Sequence, residues 1–428
     1  MDNDHGKQLE SELTGKLARL LQPDYIFANP KIRFGEGKEE ELADAIIPAF
    51  ETLLTFQFKS KNQEKDPDSL QQVDYGRILK KIKDAIGQAK TTVRAHKQGL
   101  LKEFLNLRKI PVPLEGNFSQ IVSIIILRLN GEERHAFYER TRFIIPYVQE
   151  DGIQHHIFMH DDFDIIIKWQ DTVPDLLQYL KMRHSLLHEM RMQYPFFELD
   201  LLSCLLFSYP KVKEVLSSGA TTLILETGKY QKELRESGEL LDQKEVEYGM
   251  HAYFIDYLIG WIHTILDPRA LKPKSDEFTS NGAYPALIQF YGAITRLERY
   301  RIGKKFSEKC VKSITSKRGF NFFLHPLNSN KNWGYLFVAT KIKSLEERFD
   351  ILKGLAFSAF FQTEFKKIIA VITDNEESKN RSFQFLIYEG IKDQKETEWQ
   401  LKNMPLFKTI EEGESDVWQD MRNNTKKK

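Results

Sequence analysis

The chain has 428 residues, 41% hydrophobic and 12% aromatic, with 30 phenylalanines, which excludes a disordered or fibrous protein and suggests two to three packed domains. Its 62 basic and 61 acidic residues leave a net charge of +1. No overall field therefore draws it to nucleic acid or a membrane, and any polyanion site must be a local patch. Cys204 and Cys310 are isolated in apolar or mixed helical sequence, the pattern of reduced, buried thiols in a cytoplasmic protein. The polar start, MDNDHGKQLESE, reads as free of a signal peptide. The apolar runs 121–129, 201–207 and 253–266 are shorter than a membrane span.

In chain order, residues 6–21 predict a helix on which Leu13, Leu17, Leu20 and Leu21 form one stripe. Glu10 precedes Leu13 by one turn, and Glu12 is the alternative carboxylate beside it. Residues 25–27 to 32–34 read as a strand. The stretch ELADAIIPAFETLLTFQFKSK then gives two strands, the first opening on Asp44 and the second closing on Gln57-Phe58-Lys59. Side chains alternate along a strand, so Gln57 and Lys59 share a face while Phe56 and Phe58 take the other. A carboxylate, an amide oxygen and an ammonium can thus meet at one point of a sheet. That grouping suits a hard divalent cation with a lysine beside it to handle a water or a phosphate. Residues 75–96 predict a second helix with Ile78, Ile82 and Ile86 at spacing four and Gln88 in its later half.

These residues resemble the PD-(D/E)XK, or restriction-endonuclease-like, nuclease superfamily. Its pattern is a helix carrying Glu, a strand carrying Asp, a strand with (Glu/Asp/Gln)-x-Lys, and a helix that often carries Gln or Lys. Here these are Glu10, Asp44, Gln57-Phe58-Lys59 and Gln88, all within the first hundred residues. The gaps are similar to those of NERD-type and Mrr-type branches, which also use Gln before x-Lys. Ala43 stands where the family often has Pro, and Gln57 removes one negative charge from the site. The resemblance implies a DNA endonuclease that hydrolyses phosphodiesters with Mg²⁺ or Mn²⁺. Glu10, Asp44 and Gln57 would hold the cation, Lys59 would act on water or phosphate, and Gln88 would stand behind the site. Defence against foreign DNA follows by family association alone. The alternative is an inactive nuclease scaffold that binds nucleic acid or protein.

The rest of the chain carries other patterns. Residues 62–74 read as an exposed loop. Residues 121–127, 142–145 and 153–159 read as strands of a mixed 101–170 extension, which either continues the first sheet or forms its own lobe. Residues 171–317 read as helical, with helices at 174–187, 196–207, 245–265 and 284–314. From 318 the order becomes strand, strand, helix, strand, strand, with a charged tail after Ile391. The expected whole is mixed α/β: a nuclease-like domain over 1–100, the extension, the helical region, and a small α+β domain over 318–428. Homodimerisation or a partner protein would use 171–428.

Two histidine groups, His155-His156-x-x-x-His160 and His184-x-x-x-His188-Glu189, have ligand chemistry without a supporting second cluster. A strand and turn, and a polar helix face, explain them better. Residues 296–318 carry nine Lys or Arg against Glu298 and Glu308. Arg296, Arg299, Lys304 and Lys305 are therefore candidate nucleic-acid contacts, against the plainer reading of a solvated amphipathic face.

Overall fold

A computed structural model describes residues 4–21, 26–35, 37, 39–49, 51–60, 75–114, 118–129, 147–189, 198–207, 214, 218, 254–259, 287, 291–326, 332–374, 383–389 and 393–403. The expected loop at 62–74 and strand at 142–145 lie outside these residues. The architecture is mixed α and β. The chain divides into two compact units, Met1–Leu241 with Ile262–Ala293, and Asp242–Trp261 with Ile294–Lys428. Among the described residues no helix is long and apolar enough to cross a membrane.

The first unit is built on a six-stranded sheet. Its strands are β1 (Phe27–Ala28), β4 (Ala45–Ala49), β5 (Thr52–Ser60), β8 (Gln120–Arg128), β9 (Tyr147–Glu150) and β10 (Ile153–Met159), in the spatial order β1-β4-β5-β8-β10-β9. β4 and β5 pair antiparallel, whereas β5–β8 and β8–β10 are parallel. Parallel neighbours need a long crossover, and α2 (Tyr75–Lys97) lies between β5 and β8 in the sequence. Residues 101–170 therefore extend the first sheet, and the boundary expected near residue 100 falls between two strands that pair with each other. Among the described residues, two small hairpins, β2 (Lys31–Arg33) with β3 (Glu39–Glu41) and β6 (Glu103–Leu105) with β7 (Pro111–Pro113), complete the β structure of this unit.

Each face of the sheet has its own helices. On one, Ile78, Ile82, Ala85 and Ile86 of α2 cluster with Ile125, Leu127, Ile157 and Met159. The other face carries Phe56 and Phe158, whose rings meet Phe163 of α3 (His160–Trp169) at 6.3 and 5.6 Å between centroids. The helix α1 (Asp4–Leu21) buries Leu9, Leu13 and Leu17 and ties to α3 through Lys16 and Asp164, 2.5 Å apart. The turn from β9 to β10 places Asp151 and Gly152 at positive φ, as a two-residue hairpin turn requires.

Further along, α4 (Val173–His184) starts at Thr172, whose hydroxyl accepts from the Asp175 N–H, and α5 spans Glu198–Phe207. Arg183 of α4 is fully buried, holding Glu198 with Nε at 2.8 Å and Nη2 at 2.9 Å and lying 3.1 Å from His156 Nδ1. Such a fork-to-carboxylate pair keeps an otherwise prohibitive charge in the interior.

The second unit has a four-stranded sheet in the order β11 (Phe320–Pro326), β12 (Trp333–Thr340), β13 (Lys367–Asp374), β14 (Phe383–Glu389). The outer pairs are antiparallel and the central β12–β13 pair is parallel, which α7 (Leu345–Gln362) makes possible as the crossover. Leu336, Val338, Ile368, Ala370 and Ile372 face Leu352, Ala356, Ala359 and Phe360 of α7 in one core. The expected helix over 284–314 breaks at Thr295, because the Thr295 hydroxyl and the Glu298 carboxylate cap each other's backbone N–H groups at the start of α6 (Arg296–Thr315). Part of the charged tail also folds. In α8 (Gln394–Asn403) Gln400 is buried, and its Oε1 accepts from the Ser358 hydroxyl at 3.1 Å.

Candidate metal centre

Asp44 sits immediately before β4, and its backbone N–H extends the ladder to the Phe56 carbonyl at 3.1 Å. That pairing turns its carboxylate back onto β5. Oδ2 accepts from the Phe58 N–H and lies 3.9 Å from Lys59 Nζ. Two strands thus bring Asp44 and Lys59 to one face, as period-two alternation predicts. Gln57 lies on that face too, fully buried, with its Oε1 accepting from Lys59 Nζ at 3.1 Å.

Glu10 reaches the same point from α1, and Glu41 from the end of β3. Glu10, Glu41 and Asp44 offer carboxylate oxygens that lie within 4.8 Å of one another. No other set of three His, Cys, Asp or Glu ligand atoms is so gathered among the described residues. Glu10 and Glu41 are half-buried, so the cluster opens to solvent, while Asp44 is buried. Three carboxylates so close repel one another, and Lys59, with Lys31 acting on Glu41, offsets this only in part. Burial, the Asp44 charge and a hydrogen bond to Asp44 push the Glu10 carboxyl up to about 7. Burial and Asp44 also raise Glu41. Asp44 is raised by burial, against the opposing pull of Lys59, the Phe58 N–H and Glu10.

The donor set therefore fits a hard divalent cation, which takes oxygen ligands and would relieve this repulsion. Glu41, Asp44 and Glu10 would hold it. The Gln57 oxygen, expected from the sequence as a ligand, instead serves Lys59.

Two members of the site escaped the sequence reading. Glu41 is three residues before Asp44 and ends a Glu39–Glu41 run, a local excess of carboxylate that could have drawn notice. Asn29 has φ of 48°, a left-handed conformation that Asn tolerates. Its N–H donates to the Asp44 carbonyl at 2.9 Å. With the side-chain amide turned to satisfy its neighbours, the nitrogen lies 3.3 Å from both Glu10 Oε1 and that carbonyl.

The remaining sequence candidates divide. Gln88 donates through Nε2 to Glu41 Oε1 at 3.4 Å, so it stands behind Glu41. Glu12 turns away, pairing with Lys16 and Arg128, each at 2.9 Å. His160 lies 3.0 Å from Asp161, and His184 2.6 Å from the Tyr147 hydroxyl. In the second unit Arg299 is buried and bound to Asp256 Oδ1 at 2.5 Å, with Arg296 on Asp256 Oδ2 at 2.8 Å. Arg299 is thus withdrawn from any ligand at the surface, because Asp256 stabilises its charge inside. Lys304 and Lys305 are exposed. No family model, curated protein or solved structure matches this chain.

Proposed function

We propose that the first unit is a divalent-cation-dependent nuclease of the PD-(D/E)XK type, hydrolysing phosphodiesters, with DNA as the substrate that the resemblance suggests. The observation that carries this reading is the meeting of Glu10, Glu41 and Asp44 within 4.8 Å, with Lys59 3.9 Å from Asp44. A carboxylate cluster alone would be unremarkable; the adjacent ammonium on the neighbouring strand gives it a phosphodiesterase character.

When bound, Mg²⁺ or Mn²⁺ supplies Lewis acidity and an acidified water. Asp44 is fixed by the Phe58 N–H and is the best-positioned anionic ligand. Glu10 arrives from a separate element and is held by Asn29. Lys59, aligned by Gln57, is placed to neutralise charge developing on the attacked phosphate. Gln88 holds Glu41. The exposed Lys304 and Lys305 of the second unit are retained as candidate phosphate contacts, and a role in defence against foreign DNA remains the family association.

A second reading has its own support. The neutral Gln57, with its oxygen committed to Lys59, stands where the commoner pattern has a carboxylate before x-Lys, as it would in an inactive binding scaffold. Incubating the purified protein with plasmid, single-stranded DNA and RNA in Mg²⁺, Mn²⁺ or EDTA separates the two. Cleavage that EDTA abolishes supports the nuclease, whereas binding without cleavage in any metal supports the scaffold.

A further inference from the structure

Beneath α2, one transverse row of the sheet is polar between two that pack against the helix. The row consists of Thr55 of β5, Ser123 of β8 and His155 of β10, register partners across the two parallel ladders. One step toward the C-terminal ends of the strands lie Gln57, Ile125 and Ile157, the isoleucines packed with Ala85 and Ile86. One step the other way lie Leu53 and Ile121, clustered with Ala95. The polar row therefore falls under the stretch of α2 between Ile86 and Ala95, where Ala89 is fully buried and contributes only a methyl group.

Thr55, Ser123, His155 and Gln57 are all fully buried. Thr55 Oγ1, Ser123 Oγ, both His155 ring nitrogens and Gln57 Nε2 have no hydrogen-bond partner among the described residues. Buried polar groups are nearly always satisfied, and an orphan is costly. Neighbouring strands stand about 4.8 Å apart. Hydroxyls on facing strands can bond directly at about 2.8 Å, but those of Thr55 and Ser123 do not, and the strand spacing accommodates two such bonds bent at one bridging water. Internal waters settle where a polar site offers two to four partners.

We propose that Thr55, Ser123, His155 and the Gln57 amide nitrogen hold a buried chain of water molecules under α2, which fixes the Gln57 amide with its oxygen toward Lys59. The chemistry closes. Hydroxyls donate and accept, a neutral imidazole does one at each nitrogen, and the Gln57 NH₂ needs an acceptor on its inner side. A terminal amide can turn by half a revolution. An acceptor behind the nitrogen selects the orientation in which Oε1 meets Lys59 at 3.1 Å. Thr55, Ser123 and His155 are thus positioning residues that act on Lys59 through Gln57, independently of whether the carboxylate cluster performs hydrolysis.

The test uses the full chain without metal or nucleic acid, so it is blind to the nuclease reading. In protein labelled at glutamine and histidine, water-to-protein NMR cross-peaks are measured at the Gln57 side-chain amide and the His155 ring. Melting is compared with Ser123→Ala and Thr55→Val, which remove a hydroxyl at nearly constant shape. The expected result is long-lived water cross-peaks at both groups in the parent protein. Each variant should melt about 2–4 °C lower and shift the Gln57 amide resonances. Absence of the cross-peaks in the parent protein overturns the hydrated row, even if the variants melt lower, since direct contacts would then explain the loss. Melting of both variants at or above the parent temperature overturns it as well, because replacing unsatisfied hydroxyls by apolar groups is neutral or stabilising.

Discussion

The six-stranded sheet of the first unit and the four-stranded sheet of the second share a wiring motif: an antiparallel pair, then a parallel neighbour reached through a crossover containing a helix. Their strand ends differ in charge. In the second unit Asp374 closes β13, and Arg348 of α7 reaches it at 3.4 Å, so one carboxylate meets one guanidinium. In the first, three carboxylates converge beside Lys59, with Lys31 acting on Glu41, so the negative charge is offset only in part. Topology supplies a strand end in both, and only an uncompensated charge there creates a demand for a ligand. The interiors differ as well. The β12–β13 layer facing α7 is apolar, whereas the layer beneath α2 contains Thr55, Ser123 and His155.

The largest effect that would break this contrast is on cleavage. Asp44→Ala and Lys59→Ala should each lower cation-dependent plasmid cleavage about 100-fold or more, with circular dichroism showing an intact fold. Asp374→Ala should leave cleavage at the parent rate. Parental rates in both first-unit variants would place the chemistry elsewhere. Gln57→Glu sharpens the comparison, since an added carboxylate should preserve or raise activity and tighten cation binding.

Next in size is the contribution of Glu41. Titration calorimetry with Mn²⁺ should show Glu41→Gln binding about 10-fold more weakly, on the scale of losing one supporting carboxylate. Glu12→Gln, whose carboxylate serves Lys16 and Arg128, should bind like the parent. Equal losses in the two would remove Glu41 from the site.

Acid stability tests both units at once. Burial holds His155 and His325 down at about 4 from an ordinary value of 6.5. Between those values the unfolded rings bind protons that the folded ones do not, so their contribution to stability is full above pH 6.5 and falls as pH drops toward 4. The raised Glu10, Glu41 and Asp44 carboxyls act in the opposite sense. Urea midpoints of the parent and of His325→Phe compared across that window should differ increasingly in favour of the variant as pH falls, because the variant loses the penalty of protonating a buried ring. A difference between the two proteins that stays constant with pH would contradict the neutral, buried state of the His325 ring.

The smallest effect concerns the basic helix α6. Lys304→Ala with Lys305→Ala should weaken DNA binding a few-fold and flatten its log–log salt slope by about 1 per lysine. Arg299→Ala should instead lower the melting temperature, because it empties a buried position and removes one of the two guanidiniums that hold Asp256. An unchanged salt slope would assign the two lysines to a solvated face.

The sequence by itself determined what depends on local period and caps. Residues 6–21 and 75–96 form helices, 121–127 and 153–159 form strands, and the C-terminal block folds as ββαββ, because each carries a 3.6- or 2-residue apolar rhythm. The shared face of Gln57 and Lys59 follows from the same alternation, and Asp44 opposes them once β4 and β5 pair. Only the tertiary structure decided the rest. Glu41 and Asn29 join the site through chain reversals that apolar rhythm does not encode. The choice of Glu10 over Glu12 depends on where Lys16 and Arg128 lie. Arg299 became internal because Asp256, distant in sequence, is its partner. The turn of the Gln57 oxygen toward Lys59 was also beyond the sequence, since an amide's orientation is set by the hydrogen-bonding groups packed around it.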